Sequence, residues 1–344
     1  MIYSLQTLRF VFALMIFHHH FFGNPQIIQF GTFPVAFFFI LSGYVMSIGY
    51  DDKVHSSSFQ YRSYLIKRLI RIVPLNLFCL GLLLILPITQ DVVNHELHTS
   101  TYQYLIIDVL LLQAWIPISY IYFSGNAVAW FLSSILLSYI LFPFLLRLIG
   151  GKNGKLLMLV SLIIYMIGIH LIRSSVHQFI YISPFFRIMD FMLGIALYYA
   201  LKGIRLSEGQ IFKGTVLELI AIIVSICSLL VYPYVQERYG FASLYWIPSL
   251  LLIATFTLSN MLGGAFSRLL SYSAFVFLGR LSFPFYMMHT IVIGWYRDAA
   301  AVMSLPTESV HSALFCIICT LAFAYLYTIY IEPKVTRKLQ QNYL

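Results

Sequence analysis

Charge is what this sequence has least of. Asp, Glu, Lys and Arg make up 10% of its 344 residues, against about 25% in ordinary soluble domains. With 60% hydrophobic residues, a soluble globule of this size would have too little polar surface to cover itself. Cysteine is scarce too. Cys79, Cys227, Cys316 and Cys319 all sit inside apolar runs, which excludes a disulfide framework and leaves the redox compartment unread. Long polar stretches are missing: the longest span 51–62 and 91–101, and neither has room for an extramembrane catalytic domain. No 20–50-residue repeat, interdomain linker or low-complexity tract interrupts the chain. Any chemistry therefore belongs in the membrane body or at its surfaces. No cleavable leader is expected either, because the first apolar run, 10–23, ends in His18-His19-His20 and offers no small-residue cleavage site. It reads as an uncleaved helix.

What is present is apolar length and aromatic weight. Phe (30) and Tyr (25) are abundant, which suits lipid-facing and interfacial positions. A bilayer needs about 20 mostly apolar residues per helix. Runs at 5–23, 33–50, 72–89, 130–147, 156–172, 185–201, 215–234, 241–262, 272–296 and 311–331 meet that length or approach it. They predict an all-α polytopic membrane protein with about ten spans in one domain, 1–344. A shorter run at 104–117 carries Asp108, Gln113 and Trp115.

The positive-inside rule decides what that run does. Lys53, Arg62, Lys67, Arg68 and Arg71 follow the second span, and Arg147, Lys152 and Lys155 follow the fourth. Both groups belong in the cytosol, so an even number of crossings separates them and 104–117 does not cross. It is expected as a re-entrant or interfacial helix, surrounded at membrane depth by protein or a water-filled cavity. With that choice Lys202, Arg205, Lys213, Arg268, Lys334, Arg337 and Lys338 also fall inside, against Arg173, Arg238 and Arg297 outside. Both termini are then cytoplasmic. The basic balance is thereby placed at the cytoplasmic face of a membrane, with membrane lipids rather than nucleic acid as its surroundings.

Ionisable groups inside spans are functional-site candidates by default. They are Arg9, His18, His19, His20, His170, Arg187, Asp190, Glu218, Arg280 and His289. Arg9 and His20 are eleven residues apart, about 1100° of rotation and about 16 Å of rise, so they share one face of the first helix. Adjacent histidines point about 100° apart, so the three cannot ligate one metal or line one pocket. His95 and His98 sit in an outer loop without enough partners for a metal site, and no metal is expected. On position alone, an Arg9 that reaches the cytoplasmic headgroups and histidines lying at the outer interface account for the same pattern. Arg187 and Asp190 are spaced for a local i,i+3 ion pair, yet their depth matches that of His20 and His289, which suggests one outward-opening cavity. Lys67, Arg68 and Arg71 read as ordinary cytoplasmic charge or as a grip for a phosphate-rich donor, since Arg offers bidentate phosphate contacts. Cys316 and Cys319 read as packing, and Ser42 and Ser282 as nucleophile candidates or close-packing residues.

At these residues the chain resembles the acyltransferase-3 family of integral membrane O-acyltransferases. An R-x10-H pattern runs from Arg9 to His20, and a Phe-rich S-G segment from Phe37 to Tyr44. R-x-x-R-I-x-P matches Arg68 through Pro74, and W-x-L-S matches Trp130 through Ser133. Arg187, Asp190, Phe191 and Gly194 follow R-x-x-[ED]-F-x-x-G. Leu278 through His289 is similar to L-G-x-x-S-[YF]-x-x-Y-x-x-H. One departure matters: many members carry an acid two positions after W-x-L-S, where this chain has Ile135.

The resemblance implies a ten-span enzyme, expected in a bacterial inner (plasma) membrane. It would move an acetyl or other short acyl group from cytosolic acetyl-CoA, as co-substrate, to a hydroxyl of a cell-surface glycan or lipid-linked sugar. Relatives with a C-terminal hydrolase-like domain exist, and this chain is expected to act without one. His20 would be the general base, with His289 as second polar group and Arg9 holding the donor or the developing oxyanion. Arg68 and Arg71 would grip the nucleotide end, and Arg187, Asp190, Trp130, Ser133, Ser282 and Tyr286 would contact substrate. A transporter or flippase for a glycan or lipid-linked intermediate explains the ten spans and buried charges equally well. It does not explain the ordered motifs.

Overall fold

The structure is a computed structural model that describes residues 2–23, 30–94, 103–206, 209–241 and 243–344; His95 and His98 lie outside the described residues. All regular structure among them is helical. The long helices are α1 (Tyr3–Phe22), α2 (Thr32–His55), α3 (Tyr61–Asn94), α4 (Trp130–Gly150), α5 (Gly154–Leu171), α6 (Pro184–Leu201), α7 (Ile211–Val231), α8 (Trp246–Leu262), α9 (Ser273–Met303) and α10 (Val310–Leu326). A surface helix, α11 (Glu332–Tyr343), follows α10 through one π-turn. Among the described residues nine segments, built on α2 to α10, are long and apolar enough to cross a membrane. The tenth predicted span is α1, which has 20 residues but whose apolar run is cut by Arg9 and three histidines. The chain is an all-α polytopic membrane protein.

Two boundaries differ from expectation. α3 starts at Tyr61 rather than at residue 72. Its basic residues alternate at helical spacing with Tyr64, Leu65 and Leu69, and Tyr61 and Tyr64 donate through their hydroxyls to the carbonyls of Ile140 and Tyr139. That anchorage on α4 carries the helix down through the basic cluster, so Arg68 and Arg71 sit on a packed helix and not in a loop. The 104–117 run is not a single helix either. It breaks into turns at Leu105–Val109 and Gln113–Trp115, followed by Ser119–Tyr122 and Ala127–Ala129. Leu111 takes a left-handed φ of 55° and Pro117 cannot continue a helix. Neighbours bind the freed backbone: Asn76 donates to the Asp108 carbonyl, and the Ala114 N–H donates to Ser133 Oγ. Its inward residues Asp108, Leu111, Gln113 and Ala114 are buried, and those hydrogen bonds hold the irregular backbone where no helix can.

Glycines set how closely the long helices approach. A Cβ built on Gly194 of α6 would overlap the carbonyl oxygen of Ile40 on α2, and one on Gly43 would overlap that of Phe191. α1 and α9 meet the same way, with Gly279 against the Gln6 carbonyl. Small residues allow such backbone contact between membrane helices. Around these crossings α6 also packs on α4, α7 pairs with α8, and α10 packs on α9. We expect Gly194→Ala to cost about 1–3 kcal/mol, the usual price of overpacking, with a lower thermal midpoint in detergent. An unchanged midpoint would mean that α2 and α6 part freely.

Candidate active site

α1, α2, α3, α4 and α9 enclose a cavity of about 300 Å³, at the lower end of the range for small-molecule sites. Its inner part is cationic. Arg9 lines it from α1 and has no hydrogen-bond or ion-pair partner among the described residues. Arg68 donates to the Tyr50 hydroxyl at 3.0 Å and lies over that ring. Arg71 is paired with the Glu332 carboxylate at the start of α11 and stands near the Phe283 ring. None of the described residues lining it is acidic. Ile135, at the position where the motif departs, forms part of the apolar wall. An anion is what such a cavity can hold.

The outer end is aromatic. Phe38 lies six residues after Thr32, which begins α2 at its outer end, and Phe131 is the second residue of α4. Tyr286 comes from α9, its hydroxyl donating to the Val128 carbonyl at 2.9 Å. His289 is three residues further along α9, about 4.5 Å of rise.

His289 is fully buried. Its Nδ1 lies 2.6 Å from the Tyr286 carbonyl, and a carbonyl only accepts, so Nδ1 carries the proton. In a neutral ring Nε2 is then an acceptor. His20 Nδ1 lies 2.8 Å from that Nε2 and must donate to it, which leaves His20 Nε2 as an unprotonated acceptor. One tautomer thus fixes the next. Of the three adjacent histidines it is His20 whose ring meets that of His289. His18 faces Phe22 and Phe30, and His19 lies against the Gly31 backbone. Arg297 donates to the carbonyls of His20 and Phe21, a cation closing the C-terminus of α1.

The loop before α4 clamps α9 around this pair. Asn126, buried, donates to the Met287 carbonyl at 2.7 Å and accepts from Thr290 Oγ1 at 3.1 Å. No motif singles Asn126 out; only its place just before Trp130 hints at it.

The sequence-predicted residues therefore separate into groups. Arg9, Arg68, Arg71, Ser282 and Tyr286 line the cavity together. Ser282 Oγ donates to the Gly279 carbonyl of its own helix. His20 and His289 form the pair beyond it. Arg187 and Asp190 join neither. Both are completely buried, Arg187 donating to Asp190, to the Tyr181 carbonyl and to the Phe241 carbonyl, and Asp190 accepting also from Trp246. This ion pair ties α6 to α8 and to the turn His177–Ile182. Trp130 packs on Tyr181, and Ser133 holds the Ala114 backbone. In the same turn His177 is pushed down to about 4 by burial and by the nearby Arg187 charge, so it stays neutral beside that cation. Across the outer segment, burial raises the Asp108 carboxyl, a shift opposed by the Ser124 hydroxyl that donates to it. Among the described residues no three His, Cys, Asp or Glu groups converge as metal ligands.

The family model for an acyltransferase domain matches residues 2–329, which takes in both the cavity and the histidine pair. Acyltransferase MdmB of Streptomyces mycarofaciens is 31% identical over 160 residues, a match covering 42% of this chain and 39% of that relative. The aligned part is thus well under half the relative's length. No solved structure matches.

Proposed function

The chain belongs to the acyltransferase-3 family of integral membrane acyltransferases, and from that premise we propose the following transfer. A short acyl group, acetyl first, moves from a CoA thioester in the cationic cavity to a hydroxyl of a cell-surface glycan or lipid-linked sugar at the histidine pair. The observation that carries this reading is the stacking of the two sites. A cavity with three arginines and no acid ends at Tyr286, and His289 stands one helical turn beyond.

Arg68 and Arg71 hold the nucleotide phosphates at the cytoplasmic mouth, and Arg9 holds the inner phosphate. The rise of about 16 Å from Arg9 to His20 is spanned by the extended pantetheine arm. His20 Nε2 accepts the proton of the sugar hydroxyl as its oxygen attacks the thioester carbonyl. The tetrahedral intermediate collapses with cleavage of the C–S bond, and the proton returns from His20 to the departing sulfur. Products are the acyl ester and free CoA. His289 keeps His20 in the tautomer with Nε2 free, the role a carboxylate fills in hydrolase triads. Arg187, Asp190 and Ser133 act on substrate only through the elements they hold in place.

The test uses purified protein in nanodiscs with labelled acetyl-CoA and a surface-glycan or lipid-linked oligosaccharide extract. CoA release that depends on the extract, with label in the glycan, is the expected result. No release and no labelled glycan would overturn the proposal. In the same assay His289→Ala should lower kcat by about tenfold or more, part of the 10²–10⁴ that a positioned base contributes. His289→Gln, whose amide oxygen can accept from His20 Nδ1, should recover part of the loss with little change in KM. Equal rates for Ala and Gln would remove the tautomer role.

A further inference from the structure

We infer that Phe38, Phe131 and Tyr286 measure the acyl chain, so that the enzyme selects its donor by length; this rests on the donor reading above. The three rings come from α2, α4 and α9 and contact one another, with centroids 6.3 Å apart for Phe38–Phe131, 6.4 Å for Phe38–Tyr286 and 5.8 Å for Phe131–Tyr286. All three line the cavity. Helix direction makes them its outer end: the arginines lie toward the opposite ends of α1 and α3, while His289 follows Tyr286 directly on α9.

The thioester carbonyl has to reach an oxygen activated at His20. With the CoA phosphates on the arginines, the acyl tail attached to that carbonyl comes to lie among these rings. The triangle yields little. Tyr286 is pinned by its hydrogen bond to Val128, and Phe131 is 9% exposed and packs on Phe39 as well. Phe38 is only partly buried and has no polar anchor; its edges meet Phe12 and Phe37. Unlike Tyr286 it can be cut back without orphaning a hydrogen bond, and it is less buried than Phe131. An apolar pocket discriminates one methylene by roughly 10–200-fold, so a closed triangle favours two carbons over four by at least the lower figure. Removing the Phe38 ring opens room on the tail side while the arginines and histidines stay in place.

The experiment measures kcat/KM for CoA release with acetyl-, propionyl- and butyryl-CoA, using the unsubstituted protein, Phe38→Ala and the milder Phe38→Leu, each checked for an unaltered thermal midpoint. The expected result is a preference for acetyl over butyryl that falls at least tenfold in Phe38→Ala. Phe38→Leu should lie between, and should decide the matter if the alanine variant does not fold. The same acetyl-to-butyryl ratio in all folded proteins overturns the ruler and leaves the donor reading standing. So does an unsubstituted protein that uses all three donors equally. Failure of the unsubstituted protein to release CoA from any of them overturns the donor reading and the ruler with it.

Discussion

Replacing His20 with alanine is expected to lower acyl transfer by about 10²–10⁴-fold, the contribution of a positioned general base, while the protein still folds and inserts. The separation between chemistry and folding follows from its contacts. The His20 ring has His289 as its polar partner, and the cation at this helix end, Arg297, binds the backbone carbonyls of residues 20 and 21, which an alanine retains. His289 keeps its own bond to the Tyr286 carbonyl when His20 is gone. Single-turnover measurement of labelled product with saturating acetyl-CoA reads the effect on the chemical step alone. Transfer within about threefold of normal, in a variant with an ordinary thermal midpoint, would rule out His20 as the base.

Arg9→Ala should raise the KM for acetyl-CoA by roughly 10–150-fold, the equivalent of one charge-assisted hydrogen bond of about 1.5–3 kcal/mol. Arg9→Lys should fall between, since a point charge replaces a planar fork. The unusual part is stability. Among the described residues Arg9 has no hydrogen-bond or ion-pair partner, and it shares its cavity with Arg68 and Arg71, so its removal orphans none of them and relieves like-charge repulsion. The empty Arg9→Ala protein should melt no lower than the unsubstituted one. Unchanged KM would remove Arg9 from the donor site, and a large drop in melting temperature would make it a structural residue.

Much of the fold was legible because lipid imposes a simple rule: about 20 apolar residues make a span, and helix period then puts Arg9 and His20 on one stripe. Period says which face a residue lies on but not which helix meets that face. That is why Phe38 and Phe131, two phenylalanines among thirty, carried no signal as the end of a cavity. The limit shows again at Arg187, Asp190 and Ser133. A polar side chain inside a span can serve a substrate or satisfy a neighbouring backbone, and the sequence looks the same either way. Here Arg187 answers the carbonyls of Tyr181 and Phe241, which lie 6 and 54 residues away, and Ser133 answers the Ala114 N–H. The break at Leu111 and the low start of α3 had the same origin, since both depend on what neighbouring helices offer to hydrogen-bond.

α9 runs unbroken for 31 residues and carries Ser282, Phe283 and Tyr286 at the cavity and then His289 and Thr290 at the outer pair. In the proposed transfer the two substrates come from opposite aqueous phases, and both would sit against one rod. Whatever tilt a donor imposes on it is felt by the acceptor, and linkage makes that influence reciprocal: if bound donor tightens the hold on the sugar, bound sugar tightens the hold on the donor by the same factor.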